Sequence, residues 1–372
     1  MRIKNIKLVN FRNHPKIDID FGDITILKGP NGAGKTNILE SIYMLSVCRS
    51  YRSRRDREVI RWCNHPNHPN NSQITPESKT GTGTARVSLE AMFDGGGSID
   101  LALAQSGDKK VAFIKGVRVP ISLLVGRLPS VLFAPEIMQL PYDAPSRRRR
   151  YLDIFLSELK PNYLSSLVKY HKILKSRNRL LERAYLKNIN TEELVFWDKE
   201  LSIVGSVILK MRQEAIKRID EKLSTNLHKI NGSNQKLRIK YHSTIEDVEK
   251  YGEALSARID RDIREKSTTA GPHRDDWQLV IGGNDVREVS SRGEVRTVIL
   301  ALKMAEMEIL HQSRDEMPVL LLDDVFAELD RKHSDALLDL IDGAQTIVTA
   351  TDAEYIPKSI MERAKILDIN PN

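Results

Sequence analysis

The eight residues GPNGAGKT at 29–36 satisfy every fixed position of the pattern G-x-x-x-x-G-K-[ST]. Glycines at both ends let the backbone of Gly29, Pro30, Asn31, Gly32, Ala33 and Gly34 wrap a phosphate, with the N–H groups of all but Pro30 as donors. Lys35 then reaches the β- and γ-phosphates of a nucleotide, and the Thr36 hydroxyl can ligate Mg²⁺. Near the other end of the chain, VLLLDDVFAELD at 319–330 sets two acids, Asp323 and Asp324, directly after a run of aliphatics. A desolvated carboxylate pair is costly unless a cation sits beside it. With a P-loop elsewhere in the chain, that cation is the metal on the nucleotide. Asp323 reaches it, usually through a water, and Asp324 is placed to orient or deprotonate an attacking water. An aspartate at 324 has a shorter reach than a glutamate, which suits slow turnover. The third device is SSRGEVRT at 290–297, where Ser291 and Gly293 are short donors at the start of an expected helix. Ser291 and Glu294 fit a capping box equally well, so this element draws its weight from lying shortly before Asp323.

These groups need elements to position them. The strand DITIL precedes the P-loop and an amphipathic helix, NILESIYML, follows it. Residues 1–27 read as two strands, MRIKNIKLVNF and DITIL, joined through the turn-like RNHPK. The stretch 63–84 is rich in turn formers and reads as a surface loop. Its Cys63, His65 and His68 have no second ligand cluster, so a polar loop is the better account than a metal site. Residues 85–119 alternate as an antiparallel meander. From Ser146 to about Ile230 the period becomes helical, with Leu201, Val204, Ile208, Met211, Ala215, Ile219 and Leu223 stepping by three or four, as in long helices packed antiparallel. Strands return at LRIKYH and WQLVI, and a helix starts near Glu294. They are followed by the strand PVLLLDD, a helix after Leu329, and the strands TIVTAT and AKILDI. The pattern is α/β, interrupted by a helical insertion.

A length of 372 residues suits two domains, or one with a large insertion. Hydrophobic residues at 40% and charged residues at 29% are those of an ordinary soluble protein. Two cysteines exclude a disulfide scaffold and fit a reducing compartment. No run approaches the roughly 18 apolar residues of a membrane span. The N-terminal stretch lacks a signal-peptide core, so a cytoplasmic location is expected. The net charge of +8 is modest, but it is not spread evenly. Residues 147–187 hold twelve Lys/Arg against three Asp/Glu, a net of +9, which leaves the rest of the chain at −1. A block that carries the entire excess favours a phosphate track, with Arg147, Arg148, Arg149 and Arg150 as candidate DNA contacts. RSYRSRRDR at 49–57 is a second, smaller basic cluster, equally well read as a solvated surface.

The order of P-loop, helical insertion, serine-glycine signature, paired acids and AELD is similar to the ABC-type ATPase heads of chromosome-maintenance and recombination proteins. Within that group the chain resembles the RecF family of bacterial recombination mediators. The stretches that carry the likeness include LVNFRN, GPNGAGKTNILESI, RSYRS, LFAPE, RRRRYLD, TTAGPHRDDW, SSRG, LLLDDVFAELD and TATD, and they span nearly the whole chain. The resemblance implies an α/β fold: an ABC-type P-loop ATPase head with an antiparallel β-subdomain, formed by 1–145 and 262–372, and an inserted helical arm domain, 146–261. It implies ATP and Mg²⁺ as cofactors and an ATP-dependent homodimer in which Ser291, Arg292 and Gly293 act in trans on the partner's nucleotide. Glu328, Leu329 and Asp330 would form the dimer-facing D-loop, and Arg12 and Asn13 would lie near the adenine. It further implies binding to single-stranded, gapped or junction DNA, slow DNA-stimulated hydrolysis used as a switch, and work with a RecR-type mediator and RecA in gap repair and SOS induction.

The chain departs from the family pattern at Glu136, which no Asp follows, and at Val295, where glutamine is common. Thr349 and Thr351 occupy the region of the ABC switch histidine, itself a RecF-like trait. Two rival readings remain, a chromosome-maintenance-type ABC ATPase and a non-hydrolysing DNA-binding scaffold. The insertion is too short for the first, and the intact Lys35, Thr36, Asp323 and Asp324 speak against the second.

Overall fold

The computed structural model describes residues 1–53, 55–61, 83–186, 191–327 and 331–370. The strands are β1 (Arg2–Phe11), β2 (His14–Asp20), β3 (Ile24–Lys28), β4 (Thr84–Met92), β5 (Ser98–Ser106), β6 (Lys109–Ile114) and β7 (Val117–Val119), followed by β8 (Ser130–Phe133), β9 (Leu237–His242), β10 (Asp276–Ile281), β11 (Asn284–Asp285), β12 (Val319–Asp323), β13 (Thr346–Ala350) and β14 (Lys365–Asp368). The chain folds as two compact units. One holds Met1–Gln139, Asn226–Ser233 and Arg292–Asn372, and the other Leu140–Thr225 and Asn234–Ser291.

The first unit contains a five-stranded parallel sheet in the order β14-β3-β13-β12-β8. Its central strands read as unbroken apolar runs because both faces are covered: VLLLD in β12 and TIVTA in β13 are buried at every position. The second sheet of this unit is antiparallel, in the order β2-β1-β4-β5-β6-β7, and it contains the expected meander. Alternation sets its register. Ile6 and Leu8 of β1 face inward opposite Leu89 and Val87 of β4, while Lys7 faces out opposite Ser88.

One expectation for the head is corrected. The sequence predicts a turn between MRIKNIKLVNF and DITIL, yet His14–Asp20 is a strand, paired antiparallel to β1 from Phe11↔His14 to Asn5↔Asp20. Pro15 hides it in the sequence. Proline cannot donate to a ladder, but among the described residues β2 is an edge strand paired only with β1, so the missing N–H costs no ladder bond.

The second unit is built on the helices Pro145–Leu159, Pro161–Leu186 and most of Thr191–Asn231, with the antiparallel strands β9, β10 and β11. The stripe Leu201, Val204, Ile208, Ala215, Ile219 and Leu223 is buried, and Met211 is half-buried. The two longer helices run antiparallel: Lys160 pairs with Glu214 at 3.0 Å, Tyr163 with Arg212 at 2.9 Å and Arg177 with Asp198 at 2.5 Å. Residues 262–291, assigned by sequence to the head, lie in this unit. The reason is local pairing: β10 is zipped to β9 from Asp276↔His242 to Ile281↔Leu237, and Asp262 accepts from Arg177 at 2.6 Å. Cys63, His65 and His68, residues 63–82 of the expected loop, Lys187, and Glu328, Leu329 and Asp330 lie outside the described residues. Among the described residues no helix is long and apolar enough to cross a membrane.

Candidate nucleotide site

Strand β3 delivers the chain to the P-loop, and the helix Lys35–Val47 carries it away. Gly29 is required by crowding, because a Cβ there would run into the Ile369 carbonyl. Gly34 has φ +100°, and a Cβ on it would strike the side chains of Asn13 and His14. Those two side chains brace the loop from the β1–β2 corner. Asn13 Nδ2 donates to the Ala33 carbonyl at 3.1 Å, and His14 Nε2 lies 3.1 Å from the Gly34 carbonyl. A carbonyl only accepts, so that nitrogen carries the proton. Burial pushes the His14 imidazole below its ordinary pKa, against the pull of that bond, and favours the neutral form.

Lys35 Nζ is nearly buried and folds over its own loop, donating to the carbonyls of Gly29 at 2.7 Å and Pro30 at 3.0 Å. Thr36 Oγ1 donates to Asp323 Oδ1 at 2.8 Å. Asp323 sits at the end of β12 with 4% of its surface exposed. Its Oδ1 also accepts from Thr349 Oγ1 at 2.7 Å, and its Oδ2 accepts from the Tyr51 hydroxyl at 2.9 Å. Parallel pairing makes the Thr349 contact unavoidable, since β13 places it in register beside Asp323. Asp324 breaks the strand with φ +49° and donates its amide to Thr349 Oγ1 at 2.9 Å. Thr351 Oγ1 donates to Asn31 Oδ1 of the P-loop at 3.1 Å. Both residues in the switch-histidine region therefore serve the site.

The donor set fits Mg²⁺. A hydroxyl and a carboxylate 2.8 Å apart at the P-loop are the one or two hard oxygen ligands such an ion takes from protein, with phosphate oxygens and water completing its shell.

Arg12, expected near the adenine, is engaged on the P-loop helix. It binds buried Glu40 in a bidentate pair at 2.9 and 2.7 Å, the Glu58 carbonyl at 2.9 Å, and Ser53. Glu136, in the short helix Pro135–Met138 that follows β8, is half-buried. Burial raises its carboxyl above the ordinary range and Asp323 and Glu40 push the same way, while Arg52 at 4.0 Å opposes them. The site residues that sequence patterns do not reveal are Glu40, Ser50, Tyr51, Arg52 and Ser53. RSYRS stands out in the sequence as charge and as one stretch of the family resemblance, with no role for its individual residues, yet Ser50 donates to Glu40, Arg52 donates to Asn37 Oδ1 at 2.9 Å, and Tyr51 holds Asp323.

Ser291, Arg292, Gly293 and Glu294 are all exposed at the start of the helix Arg292–Arg314. Val295, which departs from the family pattern, is buried and packs as core. Among the described residues no hydrogen bond or ion pair joins Arg292 or Gly293 to the P-loop of the same chain. Thr297 Oγ1 lies 3.1 Å from the Gly293 carbonyl and 2.5 Å from His333 Nε2, tying the signature helix to the helix Arg331–Ile341.

The candidate DNA contacts divide. Arg147 is exposed beside Asp143 at 3.6 Å. Arg148 is withdrawn from the set: it is buried, gripping both Asp276 oxygens at 2.8 and 2.5 Å and the carbonyls of Asp143 and Pro141. Arg149 is half-buried on the Asp275 carbonyl at 2.8 Å, and Arg150 is half-buried. Adjacent helix positions point about 100° apart, so a run of four cannot share one face. Asp153, one turn further along the same helix, is bound by Arg212 and Tyr163. The exposed stripe lies further on: Lys172, Lys175, Arg179 and Arg183 step by three and four along Pro161–Leu186, and none makes an ion pair among the described residues.

The family model of the RecF/RecN/SMC N terminal domain matches residues 2–367. A DNA replication and repair protein RecF of Lachnoclostridium phytofermentans is 35% identical over 371 residues, covering 99% of this chain and 98% of that protein. One of the same name from Agathobacter rectalis is 36% identical over 370 residues, covering 99% and 97%. A solved structure described as the recombination mediator protein RecF-ATP in the RecFOR pathway is similar, with 30% identity, a TM-score of 0.85, and coverage of 96% of this chain and 93% of that one.

Proposed function

This chain belongs to the RecF family, within the wider RecF/RecN/SMC N-terminal domain family, and on that premise we propose that it is an ATP-dependent DNA-binding protein of recombinational repair and replication. Its fold is that of the family: an ABC-type ATPase head with an antiparallel β-subdomain and a helical arm. The observation that carries the proposal is the Thr36–Asp323 bond at 2.8 Å, which joins the P-loop helix to the paired acids across 287 residues of sequence.

In this reading Gly29–Gly34 cradle the phosphates and Lys35 swings from the Gly29 and Pro30 carbonyls to the β- and γ-phosphates. Thr36 and Asp323 hold Mg²⁺, which when bound neutralises charge developing on the phosphates. Asp324 orients the attacking water. Asn13 braces the loop, and Arg12 fixes the P-loop helix through Glu40. Ser291, Arg292 and Gly293 are exposed, as a surface that meets a second copy must be, and they complete the partner's site with the D-loop residues Glu328, Leu329 and Asp330. ATP binding closes the dimer on single-stranded or gapped DNA, and slow hydrolysis reopens it, so the nucleotide is a switch. Arg147 and the stripe Lys172, Lys175, Arg179 and Arg183 meet DNA phosphates. With a RecR-type mediator this supports RecA loading and SOS induction in the cytoplasm.

The test is binding to gapped DNA at fixed salt, with and without Mg-ATP. The proposal expects at least about a tenfold gain in affinity with ATP that Lys35→Met abolishes. Equal affinity in both conditions would exclude it.

A further inference from the structure

The segment Ser50–Ser53 does not behave as the basic surface its composition suggests, because its side chains converge on the carboxylates beneath the P-loop helix. Ser50 Oγ donates to Glu40, and its own oxygen is capped by the amides of Arg52 at 3.1 Å and Ser53 at 2.8 Å. Arg52 lies 3.9 Å from Glu40 and 4.0 Å from Glu136. Between them Tyr51 packs edge-on against Tyr43 of the P-loop helix, with ring centroids 5.5 Å apart at 88°, and carries its hydroxyl to Asp323 Oδ2 at 2.9 Å. The strap is thus tied at both of its neighbours, and the tyrosine ring is held on a third side.

We propose that Tyr51 is a positioning residue for the metal site: its hydroxyl fixes the rotation of the Asp323 carboxylate so that Oδ1 stays aligned with Thr36 Oγ1. This deepens the nucleotide-switch reading above and rests on it.

Asp323 Oδ1 is shared by two threonine hydroxyls, Thr36 at 2.8 Å and Thr349 at 2.7 Å. Both bonds hold one oxygen, so Oδ2 is restrained only through the rigid carboxylate unless it has a donor of its own. The Tyr51 bond supplies that donor and adds a restraint on rotation about the Cβ–Cγ bond from the opposite side. Asp323 is 4% exposed, so bulk water is poorly placed to replace a lost donor there. Without the phenol, Oδ2 turns toward the threonine donors, and the Thr36–Asp323 pair loses the alignment that an ion with strict octahedral demands requires. Among the described residues Tyr51 makes no hydrogen bond to Lys35 or to the P-loop amides, so metal-free nucleotide binding should be independent of its hydroxyl.

The experiment titrates a fluorescent ATP analogue against the full chain with EDTA and with saturating Mg²⁺, for the parent, Tyr51→Phe and Tyr51→Leu, and records a thermal melt of each. The inference expects Tyr51→Phe to melt slightly lower, as the loss of one hydrogen bond to a buried carboxylate requires, and to keep the EDTA affinity while losing about five- to tenfold of the Mg²⁺-dependent gain and needing correspondingly more Mg²⁺ for half-effect. Tyr51→Leu, which also loses the contact with Tyr43, should lose the same gain and melt lower still. A Tyr51→Phe protein with the parental Mg²⁺-dependent gain would overturn the inference and leave the functional reading standing. So would one whose EDTA and Mg²⁺ affinities fall together, since that is damage to the P-loop as a whole. A parent with no Mg²⁺-dependent gain would overturn both.

Discussion

Thr349 Oγ1 donates to Asp323 Oδ1 at 2.7 Å and at the same time accepts the amide of Asp324 at 2.9 Å. One hydroxyl therefore sets the side chain of the first acid and the backbone of the second, which turns into the left-handed region at φ +49°. Thr349→Val keeps the shape and β-branching but removes both bonds in a fully buried position. Losing hydrogen bonds to a charged group costs about 1.5–3 kcal/mol, or about tenfold or more in rate. Steady-state hydrolysis should fall by that factor, with nucleotide affinity reduced only a few-fold. Thr349→Ser should recover most of the activity. Equal rates for Val and the parent would remove Thr349 from the site.

Arg148 and Asp276 make a second prediction, on stability. Burial pushes the Asp276 carboxyl up, but the Arg148 bonds, the Trp277 amide and the charges of Arg148 and Arg149 together outweigh it and hold the carboxyl below the ordinary carboxylate range. A depressed folded pKa contributes stability above the unfolded value of about 4. That contribution is lost as the pH falls through the folded value. Arg148→Ala leaves Asp276, 28% exposed, and two carbonyls without their donor. The expected loss is about 2–3 kcal/mol at pH 7, shrinking toward acid. Urea melts at pH 7 and below pH 4 check both the size and the sign. A loss that grows toward acid would contradict the pairing.

For DNA, four substitutions in the helix Pro161–Leu186 should outweigh four at Arg147–Arg150. Changing Lys172, Lys175, Arg179 and Arg183 to Gln removes up to four phosphate contacts at roughly 0.7–0.9 of logarithmic salt slope each, so the slope should flatten by about 3. The Arg147–Arg150 quartet has only one fully exposed member and should flatten it by about 1 while destabilising the fold through Arg148. Salt titrations of gapped-DNA binding separate the two. A larger flattening from the quartet would move the track back to the helix Pro145–Leu159.

The division between what the sequence shows and what it hides follows the range of the interactions. The P-loop is legible because its chemistry is contiguous: Gly29 to Thr36 are neighbours in the chain as well as around a phosphate. The acids at 323 and 324 are legible because a buried aliphatic strand that ends in two carboxylates requires a cation beside them. The helical arm is legible because burial at a helical period repeats along the forty-one residues of Thr191–Asn231. The partners of Tyr51, Arg12 and Arg148 are not, because Asp323, Glu40 and Asp276 lie 272, 28 and 128 positions away, and nothing local distinguishes a buried guanidinium from a solvated one. Strand β2 is hidden by a proline tolerated at an edge.

The central claim is that ATP closes two copies of this chain through the exposed residues Ser291–Gly293. Sedimentation velocity with and without Mg-ATP tests it most directly, on the parent, Lys35→Met, Ser291→Arg and an equal mixture of the two variants. The account predicts that the parent shifts from monomer to dimer with ATP, that each variant alone remains monomeric, that Ser291→Arg still binds nucleotide, and that the mixture recovers part of the dimer through one intact composite site. A parent that sediments identically with and without ATP, or a Ser291→Arg protein that dimerises as the parent does, would contradict it.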